Sequence, residues 1–159
     1  MSDSPLKSPF RATLEATAQG LGVLVQILRD EQAALSGSDA QTLETCVQRK
    51  LEQLQQLEHS VMAREQILQQ ADCNSGLQGS EQFIREHFTP DEILALWKKV
   101  QHLSSEVDEL NAHNGKLAMA GERATRQALS ILTGRQSAND TYGRQGQDGS
   151  LSRLSLGKA

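Results

Sequence analysis

A heptad ladder runs without a slip from Ile93 to Ile131, through Leu96, Val100, Leu103, Val107, Leu110, Asn114, Leu117, Gly121, Ala124 and Ala128. Alternating steps of three and four residues put these side chains on one seam of a single long helix, and such a seam has to be buried against other helices. The two halves of the seam differ in kind. Up to Leu110, β-branched Ile93, Val100 and Val107 alternate with Leu96, Leu103 and Leu110, a pattern suited to tight knobs-into-holes packing. Beyond it, Asn114, Gly121 and Ala128 take the branched positions. Less apolar area is then available per turn, and a helical glycine costs about 1 kcal/mol relative to alanine. The spacing predicts a firm scaffold followed by a softer stretch.

Further apolar periodicity lies upstream. Leu14, Ala18, Leu21, Val25, Leu28 and Leu35 predict a helix over 10–35, with Leu24 and Ile27 widening its stripe toward a bundle core. A short turn, Ser36 to Asp39, follows, and Ser38 with Gln41 reads as a capping box opening a second helix over 39–71. So short a connection forces an antiparallel hairpin. Leu43, Val47, Leu54, Leu57, Val61, Leu68 and Ala71 form the ladder of this helix, with Leu51 and Ile67 beside it. Lys50 and Arg64 interrupt the seam, and both are expected to lay their alkyl stems on the core while their charges reach water.

Asn74, Gly76 and Gly79 predict a loop over 72–80. A short helix over 81–88, bringing Phe83, Ile84 and Phe88, is expected to plug the end of the hairpin. Thr89-Pro90-Asp91-Glu92 is a strong helix start, with a Thr cap, Pro at the first helical position and acids in the first turn. The long helix, 90–133, would reach roughly 65 Å if straight, so part of it is expected to overhang. Residues 1–9 read as a flexible lead and 134–159 as a polar, glycine-rich, flexible tail. In that tail only Tyr142 and the trio Leu151, Leu154 and Leu156 stand out. The fold class is therefore all-α: an elongated antiparallel helical hairpin or bundle with coiled-coil character, one long C-terminal helix and a flexible tail.

Composition narrows the function. The 159 residues are 37% hydrophobic and only 3% aromatic, which fits one aliphatic helical domain, 10–133. A net charge of −4 with both signs mixed offers no basic stripe for nucleic acid or an anionic membrane surface. No apolar run is long enough for membrane insertion, and the start Met1-Ser2-Asp3-Ser4 lacks signal-peptide features, so a cytoplasmic location is expected. Cys46 and Cys73 form no metal-binding pair and are expected to be free thiols. The histidines are scattered. Glu109 and His113 are four residues apart, but a di-iron bundle uses Glu-x-x-His twice, so they read as a surface pair. With no phosphate loop and no nucleophile elbow, no catalytic residue, metal or cofactor is expected, and an enzyme is not.

Several local elements together resemble the FlgN-type flagellar export chaperones. They are the spaced leucines of the first helix, Gly37-Ser38-Asp39 followed by Leu43 and Lys50, and the stretch from Asn111 to Leu117. Arg126, Ala128 and Leu129 continue them, as does Thr141 to Gly146. The resemblance implies a chaperone of the bacterial cytoplasm that holds the hook-filament junction proteins FlgK and FlgL before export and delivers them to the gate protein FlhA. An underfilled helical seam suits such clients, whose amphipathic helices dock through anchors at i, i+3, i+4 and i+7. On this reading Leu117, Ala124, Ala128, Leu129, Ile131 and Leu132 form the client surface, with an internal core as the other reading of Leu117. Tyr142 matches the family's tail tyrosine that docks on FlhA; the other reading folds it back on the bundle. Asn114 and Gly121 are assigned structural roles, Asn114 fixing register.

A different class shows the same ladders. A homodimeric coiled-coil adaptor joined by the Ile93 to Leu110 seam would have a dry seam and no client, whereas a chaperone keeps an apolar surface available near Leu129.

Overall fold

The structure, a computed structural model, describes residues 4–133. It contains four helices: α1 (Lys7–Ser36), α2 (Ala40–Gln70), α3 (Gly76–His87) and α4 (Pro90–Thr133). The expected long helix begins at Pro90, as read from the sequence, and continues to Thr133, the last described residue. The predicted lead is shorter than expected, because Lys7 to Pro9 already belong to α1 and Leu6 packs on the core.

Helix α1 is the centre of the fold. Thirteen of its thirty residues are buried, against five of thirty-one in α2, so α1 must be covered on more than one side. α2 packs antiparallel to it. Arg49 and Lys50 meet Asp30 and Glu31 near the turn, at 3.3 and 2.8 Å, while Leu57 lies against Gly20 farther along. A Cβ on Gly20 would stand 2.7 Å from Leu57 Cδ2, so any larger residue here would have to displace the Leu57 side chain. α4 runs parallel to α1 on its other flank, since Lys7 pairs with Glu92 and Asn114 reaches Leu28.

The loop expected over 72–80 is shorter than that, because α3 begins at Gly76 rather than at 81. Gly76 takes a left-handed φ of 74°, and its N–H donates to Glu65 Oε1 at 2.9 Å, which anchors the new helix to α2. A Cβ on Gly79 would overlap the carbonyl of Asn74, so the chain folds tightly here. The predicted plug is present. Phe83 and Phe88 stack around Phe10 at ring-centroid distances of 4.4 and 5.9 Å, which gathers all three phenylalanines of the chain in one cluster.

Two local readings are corrected. Ser38 does not cap α2: its φ of 53° is left-handed, whereas a capping residue needs an extended backbone. Asp39 is the cap, accepting the Thr42 N–H at 3.1 Å and the Thr42 hydroxyl at 2.6 Å, and these bonds lower its pKa. Arg64 is almost wholly closed in by packing rather than laid along the surface. It is only 2% exposed, and its Nε and Nη1 have no hydrogen-bond partner among the described residues. Burial pushes its pKa down, with Glu65 opposing. An uncompensated buried charge is costly, so Arg64→Met is expected to raise unfolding stability by about 1–4 kcal/mol in urea titrations. A loss of stability instead would mean that the guanidinium holds bonds essential to the fold.

The start of α4 behaves as its sequence suggests. Glu92 Oε2 accepts the Thr89 N–H at 2.8 Å and Oε1 accepts from Lys7 Nζ at 2.9 Å, and these bonds lower the Glu92 pKa from 4.5 to about 2. The stabilisation is present above pH 4.5 and is lost as the pH falls toward 2. Glu92→Gln is expected to flatten the fall of the thermal midpoint across that window. An unchanged slope would show that this bond does not couple to folding.

Along α4, Ile93, Val100, Val107 and Asn114 are buried, while Leu96, Leu103, Leu110 and Leu117 are half-buried. Trp97 and Ser104, off the ladder, are buried too. The offset between α1 and α4 is 85 residues at Lys7 and 86 at Leu28, which places Ser36, the last residue of α1, level with Gly121 and Glu122. The last turns of α4, roughly 17 Å, therefore project beyond the hairpin.

Candidate functional site: the free end of α4

The projecting end carries the thin half of the heptad seam. Ala124 and Ile131 continue the half-buried row that ends in Leu117, Gly121 and Ala128 continue the buried row that ends in Asn114, with Leu132 at the edge of the seam, and all five are exposed. Ile131 is 77% and Leu132 81% exposed. At 100° per residue, Glu122, Arg123 and Arg126 fall on the opposite face, where Glu122 and Arg126 pair at 3.9 Å. The face formed by the row is thus uncharged from Leu117 to Leu132. A Cβ on Gly121 would meet nothing within 4 Å, so this glycine leaves open space along the row.

Of the six residues expected to form one surface, the structure aligns Leu117, Ala124, Ala128 and Ile131, with Leu132 beside them. Leu129 is 54% exposed but lies one residue past Ala128, turned toward the charged face. Tyr142 and the rest of the predicted tail lie outside the described residues.

Where α4 leaves the bundle, a polar node ties three helices. Asn114 Nδ2 donates to Leu28 O at 2.8 Å and to Glu31 Oε1 at 2.9 Å, while Lys50 Nζ donates to Glu31 Oε2 at 2.8 Å. Lys50 therefore reaches an anion rather than bulk water. The same node shows that the Lys50 side of α2 looks toward α4. On that side Val47 and Leu51 are exposed, with Met62 exposed farther along the same flank. The sequence placed Val47 on a buried ladder, and this second apolar surface was missed. Its one legible sign was that Val47, Leu51 and Met62 repeat at steps of four and eleven, a row apart from Leu57, Arg64 and Leu68.

Among the described residues no group of three His, Cys, Asp or Glu side chains could hold a metal. Cys46 and Cys73 are free, and burial raises both thiol pKa values, which disfavours the reactive thiolate. Glu109 and His113 are both exposed. No described helix is long and apolar enough to cross a membrane.

A crystal structure assigned as a flagella synthesis protein FlgN from Pseudomonas aeruginosa matches this fold with a TM-score of 0.60 and 28% sequence identity. The match covers 83% of this chain and 99% of that one. No curated protein matches. The family model described as FlgN protein matches residues 7–149, nearly the whole chain, which therefore belongs to the FlgN family.

Proposed function

We propose that this chain is a cytoplasmic export chaperone of the flagellum, which binds FlgK and FlgL through the free end of α4 and delivers them to FlhA. Membership of a flagellar family supports the general role. The observation that carries the client site is the uncharged row from Leu117 to Leu132, projecting past every other described helix with Ile131 and Leu132 uncovered. An amphipathic client helix would bury its apolar stripe on this row, with Ala124 and Ala128 allowing close approach. Leu129 would contact the flank of the client. Asn114 sets the register of α4 on α1, a role for which its two bonds and burial are suited. Gly121 keeps the helix beyond it soft.

The homodimeric adaptor has less support, because Ile93, Val100 and Val107 are already buried within one chain. Tyr142 is the residue proposed to dock on FlhA, since a tyrosine offers large contact area with little entropy lost.

Co-purification of the full chain with FlgK and with FlgL tests the client reading, and a discrete complex with one of them is expected. Absence of both complexes sinks it. Tyr142→Ala is expected to lower FlhA binding at least tenfold in a pull-down while leaving the client complex intact. Loss of both bindings together would make the tail part of the client site instead.

A further inference from the structure

Two polar side chains are shut without partners into the end of the hairpin that α3 plugs. Arg64, on α2, is 2% exposed, and its Nε and Nη1 meet no acceptor among the described residues. Ser80, on α3, is 0% exposed, and its Oγ is equally unpaired. Both belong to the seat of α3 on α2. Glu65, the neighbour of Arg64, accepts the Gly76 N–H through Oε1, and Ser80 follows Gly76 by one turn on the inward face of α3, in line with buried Phe83. We propose that Arg64 and Ser80 hold a small inorganic anion, of the size and charge of chloride, between α2 and α3. The site is independent of client binding.

Charge decides between an anion and a neutral molecule such as water. A buried guanidinium without a counter-charge is strongly disfavoured. Burial works against the Arg64 cation, and only Glu65 opposes that effect. Glu65 is committed to α3, since its Oε1 already serves Gly76. The helix adds positive character of its own. It opens at Gly76, and Ser75, at the capping position, makes no side-chain bond to the N–H groups of the first turn. A guanidinium, a hydroxyl and a helix N-terminus at one junction make a donor set suited to an anion. Size follows from burial. With Arg64 and Ser80 both closed in by packing, the site suits an ion comparable to a water molecule and excludes a nucleotide. Such an ion would hold α3 on α2 beside the Glu65 bond.

Urea unfolding of the full chain, with sodium chloride exchanged stepwise for sodium gluconate at constant ionic strength, reads the site. The folded-to-unfolded ratio of the parent is expected to rise about tenfold once chloride exceeds its dissociation constant tenfold, and Arg64→Met is expected not to respond. The stability gained by that variant then shrinks as chloride is added. A parent that responds no more than the variant overturns the proposal and leaves water as the partner of these donors. Ser80→Ala is expected to weaken the chloride response several-fold, and an unchanged response would overturn the placement of the ion between the two residues. Crystals of the parent soaked in sodium bromide give a reading that needs no variant. An anomalous peak within hydrogen-bond distance of Arg64 is expected, and its absence overturns the site.

Discussion

Replacing Ile131 and Leu132 together with serine is expected to weaken the complex with FlgK or FlgL by on the order of 10²–10³-fold while leaving the thermal midpoint of the free chain unchanged. Both side chains are mostly exposed, so the fold gains little from them. Full burial of such a side chain under a client helix is worth about 1.5–3 kcal/mol, and each 1.4 kcal/mol is roughly a factor of ten in affinity. Titration calorimetry of the client, run beside melts of the chaperone alone, reads both quantities. Unchanged affinity would move the client to the flank of α2, and Leu51→Ser would then be the informative variant.

The largest effect on stability is expected at Phe10. Its ring is fully buried and touches both Phe83 and Phe88, so it joins the start of α1 to α3 and to the lead into α4. Phe10→Ala removes that joint and leaves a cavity at the closed end of the bundle, where relaxation is limited by two other rings. A loss of about 3–5 kcal/mol in urea unfolding is expected. A loss below about 1 kcal/mol would mean that the end collapses freely and that the three rings do not act as a unit. Client binding at the far end of α4 should survive the substitution wherever the variant remains folded.

Much of this architecture was legible because it depends on local chemistry. Thr89-Pro90-Asp91-Glu92 opens α4 as read, and the bulky half of its ladder is buried or half-buried as the heptads require. What escaped were features that depend on neighbours distant in sequence. Arg64 sits on an apolar row with a long alkyl stem, and nothing local distinguishes a snorkelling arginine from one closed in by packing. Val47 has the spacing of a core residue, but α4 does not close over it. Gly76 and Gly79 read as loop residues because glycine is a turn signal, whereas Gly76 begins the helix and Gly79 is used for close approach to Asn74. The site divides in the same way. Its row from Leu117 to Ile131 followed from periodicity, while its exposure followed from the length of α1, which ends too early to cover it.

The central position of α1 bears on how the chain comes to be folded during synthesis. Of the four described helices, the one that is synthesised before the others is the one on which they pack. Once residues up to about 70 are out, α1 and α2 can close as a hairpin through short-range contacts, which form quickly. The other flank of α1 must then wait for a partner 85 residues farther along the chain. Until α4 arrives, Leu14, Leu21 and Leu28 have only part of their final cover, and it is in this interval that a nascent chain of this kind is most open to aggregation.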